Sequence, residues 1–232
     1  MALGPSWRHK TRWLHRLVSR YGLGGRILDV ACGEGSLLAS LDTPQNELHG
    51  VDRSMPALLL ARRRCPRASF VRGDITENTT GLRPGSFDVV ICANALEEMG
   101  NDEAALRNMA ALLRPGGHLL LVVPHGQHYW SVHDEYARNL RRYEADRLTE
   151  QASAAGLLIR LCMPWGYPFY TAYYRLALTR SGGHGELYTP RSGLKRAAAS
   201  CLFWLLQLDD LWRGTQRGRI LFLVAQRPED TP

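Results

Sequence analysis

The chain has 232 residues, 45% of them hydrophobic and 22% charged, with a formal net charge of +7. That length supports one sizeable α/β domain and is short for two, and the composition excludes collagen-like, low-complexity and disordered chains. No run approaches ~20 uninterrupted apolar residues, so no transmembrane helix is expected. Residues 1–10 lack an apolar core behind their charges, which argues against a signal peptide. The five cysteines are scattered and never in C-x-x-C spacing. They point to a reduced, cytoplasmic setting and to neither a disulfide frame nor a zinc site.

Residues 6–21 place Trp7, Trp13, Leu14, Leu17 and Val18 on one side and read as a basic amphipathic helix. Residues 26–31 form a short apolar run that ends in a glycine loop, with helical character over 36–41. A second strand at 47–51 ends at Asp52, and Ser54 followed by Pro56 opens a helix that continues through 57–64. A third strand near 70–71 ends at Gly73-Asp74. Residues 87–93 are continuously apolar, 103–113 are helical, 114–117 turn, and 118–123 form another strand. A helix at 143–155, a strand at 157–162 and a last strand at 219–225 complete the series.

Apolar strands alternating with helices predict a Rossmann-like α/β fold. Its sheet would have seven mostly parallel strands with helices on both faces. Such sheets bind ligands at the carboxyl ends of their strands. Residues 167–218 break the rhythm, because a tight connection would be expected there. With helical stretches at 170–180 and 193–213 and a glycine-rich loop at 181–185, they read as a cap over the site. The expected organisation is a single domain: a basic helix at 1–25, a core at 26–166, the cap at 167–218 and the last strand at 219–227.

Charge follows this division. Residues 1–26 carry six basic side chains and no acid, and 167–218 carry seven basic and three acidic ones. The remainder is slightly acidic. The excess reads either as solvated helix faces or as a basic rim that attracts an acidic ligand.

The sharpest motif is Asp29-Val-Ala31-Cys-Gly33-Glu-Gly35, between the first strand and the next helix. Glycines there let backbone approach a ligand where a Cβ would collide. Leu38 occupies the position of the third glycine of a dinucleotide fingerprint, and no Gly-Lys-Ser/Thr follows. Asp29 would repel a pyrophosphate but suits an amino group or a sulfonium cation.

These residues resemble the first motif of the class I S-adenosylmethionine (SAM)-dependent methyltransferases, with Ala31 where many members have glycine. Asp52 is similar to the acid that takes the ribose hydroxyls in that family. Asp74-Ile75 resembles the pair that reads the adenine amine, residues 87–94 its fourth motif, and 113–117 the turn before its fifth strand. The resemblance implies SAM as cosubstrate and S-adenosylhomocysteine as product. The implied cofactor-binding set is Asp29, Ala31, Gly33, Gly35, Asp52, Arg53, Asp74, Ile75 and Asn94. Asp88, at the strand entrance, reads as structural.

After the fifth strand, residues 124–143 resemble a bacterial subgroup with a Pro…Trp…Asp…His-x-Arg-Arg-Tyr segment. Asn139 stands in place of its histidine, and Glu97-Glu98 in place of a Glu-His pair. His125, His128 and His133 are the candidate catalytic bases, with ordinary loop hydrogen bonding as the alternative reading. Their spacing would suit a metal only if the loop folded back on itself, so no metal is expected. Tyr129, Trp130, Arg141, Arg142 and Tyr143 are candidate acceptor-binding residues; core packing and a salt-bridged helix face are the competing readings.

The function implied is methyl transfer to an oxygen or nitrogen of a small, acidic acceptor. RNA or protein methylation and a non-catalytic SAM-fold role are the alternatives. A nucleic-acid partner is not expected, and the chain would be a monomer or homodimer. Residues 201–208 leave contact with a membrane surface open.

Overall fold

In the computed structural model, residues 5–77, 81–180, 193–212 and 215–230 are described. The glycine-rich loop expected at 181–185 lies outside them. In chain order the elements are α1 (Pro5–Arg20), β1 (Arg26–Val30), α2 (Ser36–Ser40), β2 (Glu47–Asp52), α3 (Met55–Arg64), β3 (Ser69–Arg72) and β4 (Phe87–Ala93). A 3₁₀ turn (Leu96–Glu98) then leads to α4 (Asp102–Leu112), β5 (Leu113–Pro124), α5 (Val132–Tyr136), α6 (Ala145–Ala154) and β6 (Leu158–Trp165). α7 (Phe169–Arg180), α8 (Gly193–Leu206), a 3₁₀ turn (Gln207–Trp212) and β7 (Ile220–Gln226) follow.

The seven strands form one sheet in the order β3-β2-β1-β4-β5-β7-β6. β1 to β5 pair in parallel, and β7 runs antiparallel between β5 and β6. Strands buried on both faces need apolar side chains at every position rather than at alternate ones. β4 and β7 meet this with Phe87-Asp-Val-Val-Ile-Cys-Ala93 and Ile220-Leu-Phe-Leu-Val-Ala225, buried at almost every residue. One face packs Leu106, Met109 and Leu148 from α4 and α6; the other packs Trp13, Leu17, Leu38, Leu58, Tyr170 and Leu206.

Local signals fix the helix starts. The Ser54 hydroxyl accepts the Ala57 N–H at the head of α3, and the Asn101 amide oxygen accepts the Ala104 N–H at the head of α4. At the amino edge of the sheet, Asp88 accepts the Arg26 N–H at 2.7 Å and pairs with Arg114, which is a structural role.

Residues 167–218 leave β6 at the carboxyl edge and return to it, because Trp165 and Pro124 both pair with Ile220. α1 joins the cap on the same side of the sheet. His9 packs between Trp165 and Phe203, and Asp210 binds Arg12 and Arg16 while accepting the Trp165 indole N–H at 2.9 Å. The outer side of the cap leaves Trp204, Leu205, Leu208, Leu211 and Trp212 exposed.

Candidate functional site

Two clefts meet at the carboxyl edge of the sheet. The first is lined by Val30, Ala31, Val51, Asp52, Arg53, Gly73, Asp74, Ile75, Asn94, Glu98 and their neighbours, and holds about 260 Å³. Its floor is the β1–α2 turn. Ala31 (φ 57°) and Gly35 (φ 71°) are both left-handed there, a conformation that glycine adopts more cheaply than alanine. A Cβ on Gly35 would lie 3.0 Å from the Ala61 Cβ, so this glycine also lets the turn approach α3.

Asp52 stands at the end of β2, where its two carboxylate oxygens accept the Gly33 and Ser54 N–H groups, each at 2.8 Å. That fixes the carboxylate while leaving lone pairs on both oxygens for a diol. Asp74 accepts the backbone N–H and hydroxyl of Thr76 and pairs with Arg53. Burial opposes its charge, but the Thr76 bonds and Arg53 outweigh it and hold the carboxyl below the usual range. Ile75 is buried, and Asn108 grips its carbonyl at 2.6 Å. Asp29 is buried under the same strand ends and does not line the cleft. Burial, with the neighbouring Asp52 charge, pushes its carboxyl up to about 8. Gly33 and Gly35 shape the turn without lining the cleft. This donor set suits a neutral diol, an exocyclic amine and a cation, which are the recognition features of SAM.

The second cavity, of about 120 Å³, is lined by Lys10, Asn94, Glu97, Glu98, His133, Asn139, Arg142, Tyr170, Tyr174, Arg219 and adjacent residues. It therefore takes walls from α1, α5 and α7 as well as the core. Asn94 and Glu98 line both clefts. Asn94 is left-handed (φ 53°), and its side-chain oxygen accepts the Lys10 ammonium at 2.6 Å. Arg219 is buried between Tyr129 and Tyr174 with its guanidinium 4.8 and 4.2 Å from their rings. Burial and the nearby Arg142 lower its pKa. Among the described residues, neither Lys10 nor Arg219 has a carboxylate within salt-bridge distance.

Several expected acceptor contacts are instead structural. Arg142 is buried on Asp134, with Nε–Oδ1 at 2.9 Å and the terminal nitrogen 3.0 Å from Oδ2. Only its flank reaches the cavity. Arg141 pairs with Asp102 at 2.8 Å, and the Tyr143 hydroxyl donates to the same carboxylate at 2.8 Å. Tyr143 is fully buried, so it cannot wall an acceptor. Tyr129 is buried beneath Arg219, and Trp130 lies outside both clefts.

The three histidines do not converge. The His125 ring Nδ1 sits 2.9 Å from the Gly218 carbonyl, buried behind the cavity. His128 is exposed and stacked 4.0 Å from Tyr129. His133 alone of the three lines the cavity, edge-on to Tyr174, and burial lowers its basicity. Among the described residues, no three His, Cys, Asp or Glu side chains are grouped as metal ligands.

Nothing in the sequence sets Lys10, Glu97 and Arg219 apart: Lys10 is one cation on a basic helix, Glu97 stands where the subgroup has the glutamate of its Glu-His pair, and Arg219 begins a strand.

Residues 27–117 match the family described as "Methyltransferase domain". Among curated relatives, the ubiquinone biosynthesis O-methyltransferase of Chromobacterium violaceum is 29% identical over 178 residues, covering 66% of this chain and 73% of that protein. The enzyme of the same name from Ralstonia nicotianae is 33% identical over 105 residues, 44% of either chain. The chain thus spans less than half of several such relatives. Among solved structures, the [4+2]-cyclase SpnF superposes with a TM-score of 0.63 at 21% identity, covering 94% of this chain and 81% of that one. That likeness is one of fold.

Proposed function

We propose that the chain is a class I SAM-dependent methyltransferase and that it methylates an oxygen or nitrogen of a small acceptor bearing an anionic group. The observation that carries this reading is the meeting of two clefts at Asn94 and Glu98: one suited to SAM, the other lined by Lys10 and Arg219, neither of which has a carboxylate within salt-bridge distance among the described residues. Asp52 takes the ribose hydroxyls, Asp74 and Ile75 read the adenine, and Asp29 lies beneath the cationic end of SAM. Lys10 and Arg219 hold the acceptor's anionic group, with His133 and Tyr174 beside it. The names of the curated relatives favour oxygen as the atom methylated. The sulfonium of bound SAM supplies an activated methyl group. What the protein adds is alignment and the exclusion of water, and the cap formed by α1 and α7 serves both.

The test has two parts. SAM is incubated with the chain and a panel of hydroxybenzoates, phosphorylated alcohols and amino acids, and S-adenosylhomocysteine is followed by mass spectrometry. Turnover confined to anionic members supports the reading; turnover of neutral members alone removes Lys10 and Arg219 from it. Calorimetry on Asp52→Ala should show SAM binding weakened by about 1.5–3 kcal/mol, the range for a hydrogen bond to a charged group. An unchanged affinity would take Asp52 out of the site.

A further inference from the structure

We propose that the Glu97 carboxylate takes the proton from the acceptor as the methyl group is transferred, an inference that rests on reading the second cavity as the acceptor site. Glu97 lies on the 3₁₀ turn Leu96–Glu98, directly after β4 and between the two clefts. Its neighbours Asn94 and Glu98 line both clefts, and Glu97 itself lines the second. The residue is only 3% exposed, and its Oε2 has no hydrogen-bond partner. A buried carboxylate oxygen without a partner is costly and rare. In a cavity, it is an acceptor waiting for a ligand's donor.

The other groups facing this cavity are less suited. Asp134 is committed to Arg142, Asn139 and Ser131. His133 is a weakened base: burial lowers its pKa, and Lys10, Arg142 and Arg219 add to that effect against the pull of Asp134. Glu98 is less buried and has no orphaned oxygen. Burial pushes the Glu97 carboxyl well above the usual carboxylate range, and Glu98 adds to this; a hydrogen bond from its own backbone N–H, Lys10 on α1 and Arg142 oppose it. A base with a pKa near the working pH combines a useful ionised fraction with a strong affinity for the proton.

The step balances. An acceptor O–H gives its proton to Glu97 as the oxygen forms a bond to the donor methyl carbon. The carbon–sulfur bond breaks with its electron pair kept on sulfur, which becomes a neutral thioether. Carboxylate and sulfonium charges cancel, and Glu97 then releases the proton to water.

The test compares wild type with Glu97→Gln and Glu97→Asp, using SAM and whichever panel member the wild type methylates. Glu97→Gln should lower kcat at pH 8 by about 100-fold or more. SAM affinity by calorimetry should stay within twofold. The rise of rate with pH above the ordinary carboxylate range should disappear, and Glu97→Asp should recover part of the rate and of that rise. A fall in kcat of less than tenfold, or one matched by an equal loss of SAM affinity, would overturn the proposal and leave Glu97 as scaffold. Wild type that binds SAM yet methylates no panel member withdraws the acceptor reading, and this inference with it.

Discussion

Two aspartates at neighbouring strand ends are held differently. Asp52 has backbone N–H groups on both oxygens, whereas burial raises Asp29 to about 8. A carboxyl raised on folding keeps its proton in the native state while the unfolded chain loses it. Stability from this group is therefore full below the ordinary aspartate pKa near 4, and falls as pH climbs toward about 8. Asp29→Asn removes that loss. Its thermal midpoint should match wild type near pH 4 and exceed it at pH 8.5, by scanning calorimetry. A midpoint difference that does not change with pH would show that folding leaves the Asp29 carboxyl unraised. In wild type, SAM affinity should also strengthen from pH 6.5 to 8.5, because a cation favours the ionised carboxylate.

Within the segment between β5 and α6, one carboxylate gathers three partners. Asp134 accepts from Ser131, Asn139 and Arg142, and it is fully buried. Removing one partner of a buried pair strands the other, so Asp134→Ala should cost about 3–5 kcal/mol in chemical denaturation. A loss under 1 kcal/mol would mean that Arg142 finds solvent. Arg142 and Tyr143 were legible as a motif but not as pins. Asp102, which anchors Arg141 and Tyr143, lies some 40 residues away, and no spacing rule connects them. The strands of the core were readable because long apolar runs carry their own signal, as in β4 and β7. The start of α6 was not: the strand-like pairing of Tyr143 with His125 delays the helix to Ala145. Nor does periodicity reveal that β7 runs antiparallel, since both orientations bury the same residues.

Positive charge is distributed differently from what the sequence implies. Arg12 and Arg16, counted with a free rim on α1, both pair with Asp210. Lys10 turns into the second cavity, and Trp13 is buried in the core. Among the described residues, no continuous track of free cations and exposed aromatics runs along α1. RNA retention should accordingly be weak and lost between 50 and 200 mM salt, on the order of what non-specific contacts show. Filter binding against salt measures this. Tight binding at 200 mM, together with labelled methyl groups in the RNA, would contradict the small-acceptor reading.

The place of β7 also sets an order of manufacture. β6 pairs with the sheet only through β7, so β6 has no place in the sheet until residues 220–226 have been synthesised. The first cleft draws on residues 30–100 and can assemble while translation is still under way. The second cavity needs Arg219 and Ile220 and cannot. A growing chain on the ribosome therefore passes through a long interval with the first cleft formed and an apolar ledge on β5. The second cavity arrives with β7. Over that interval, β5 is the segment a chaperone would have reason to cover.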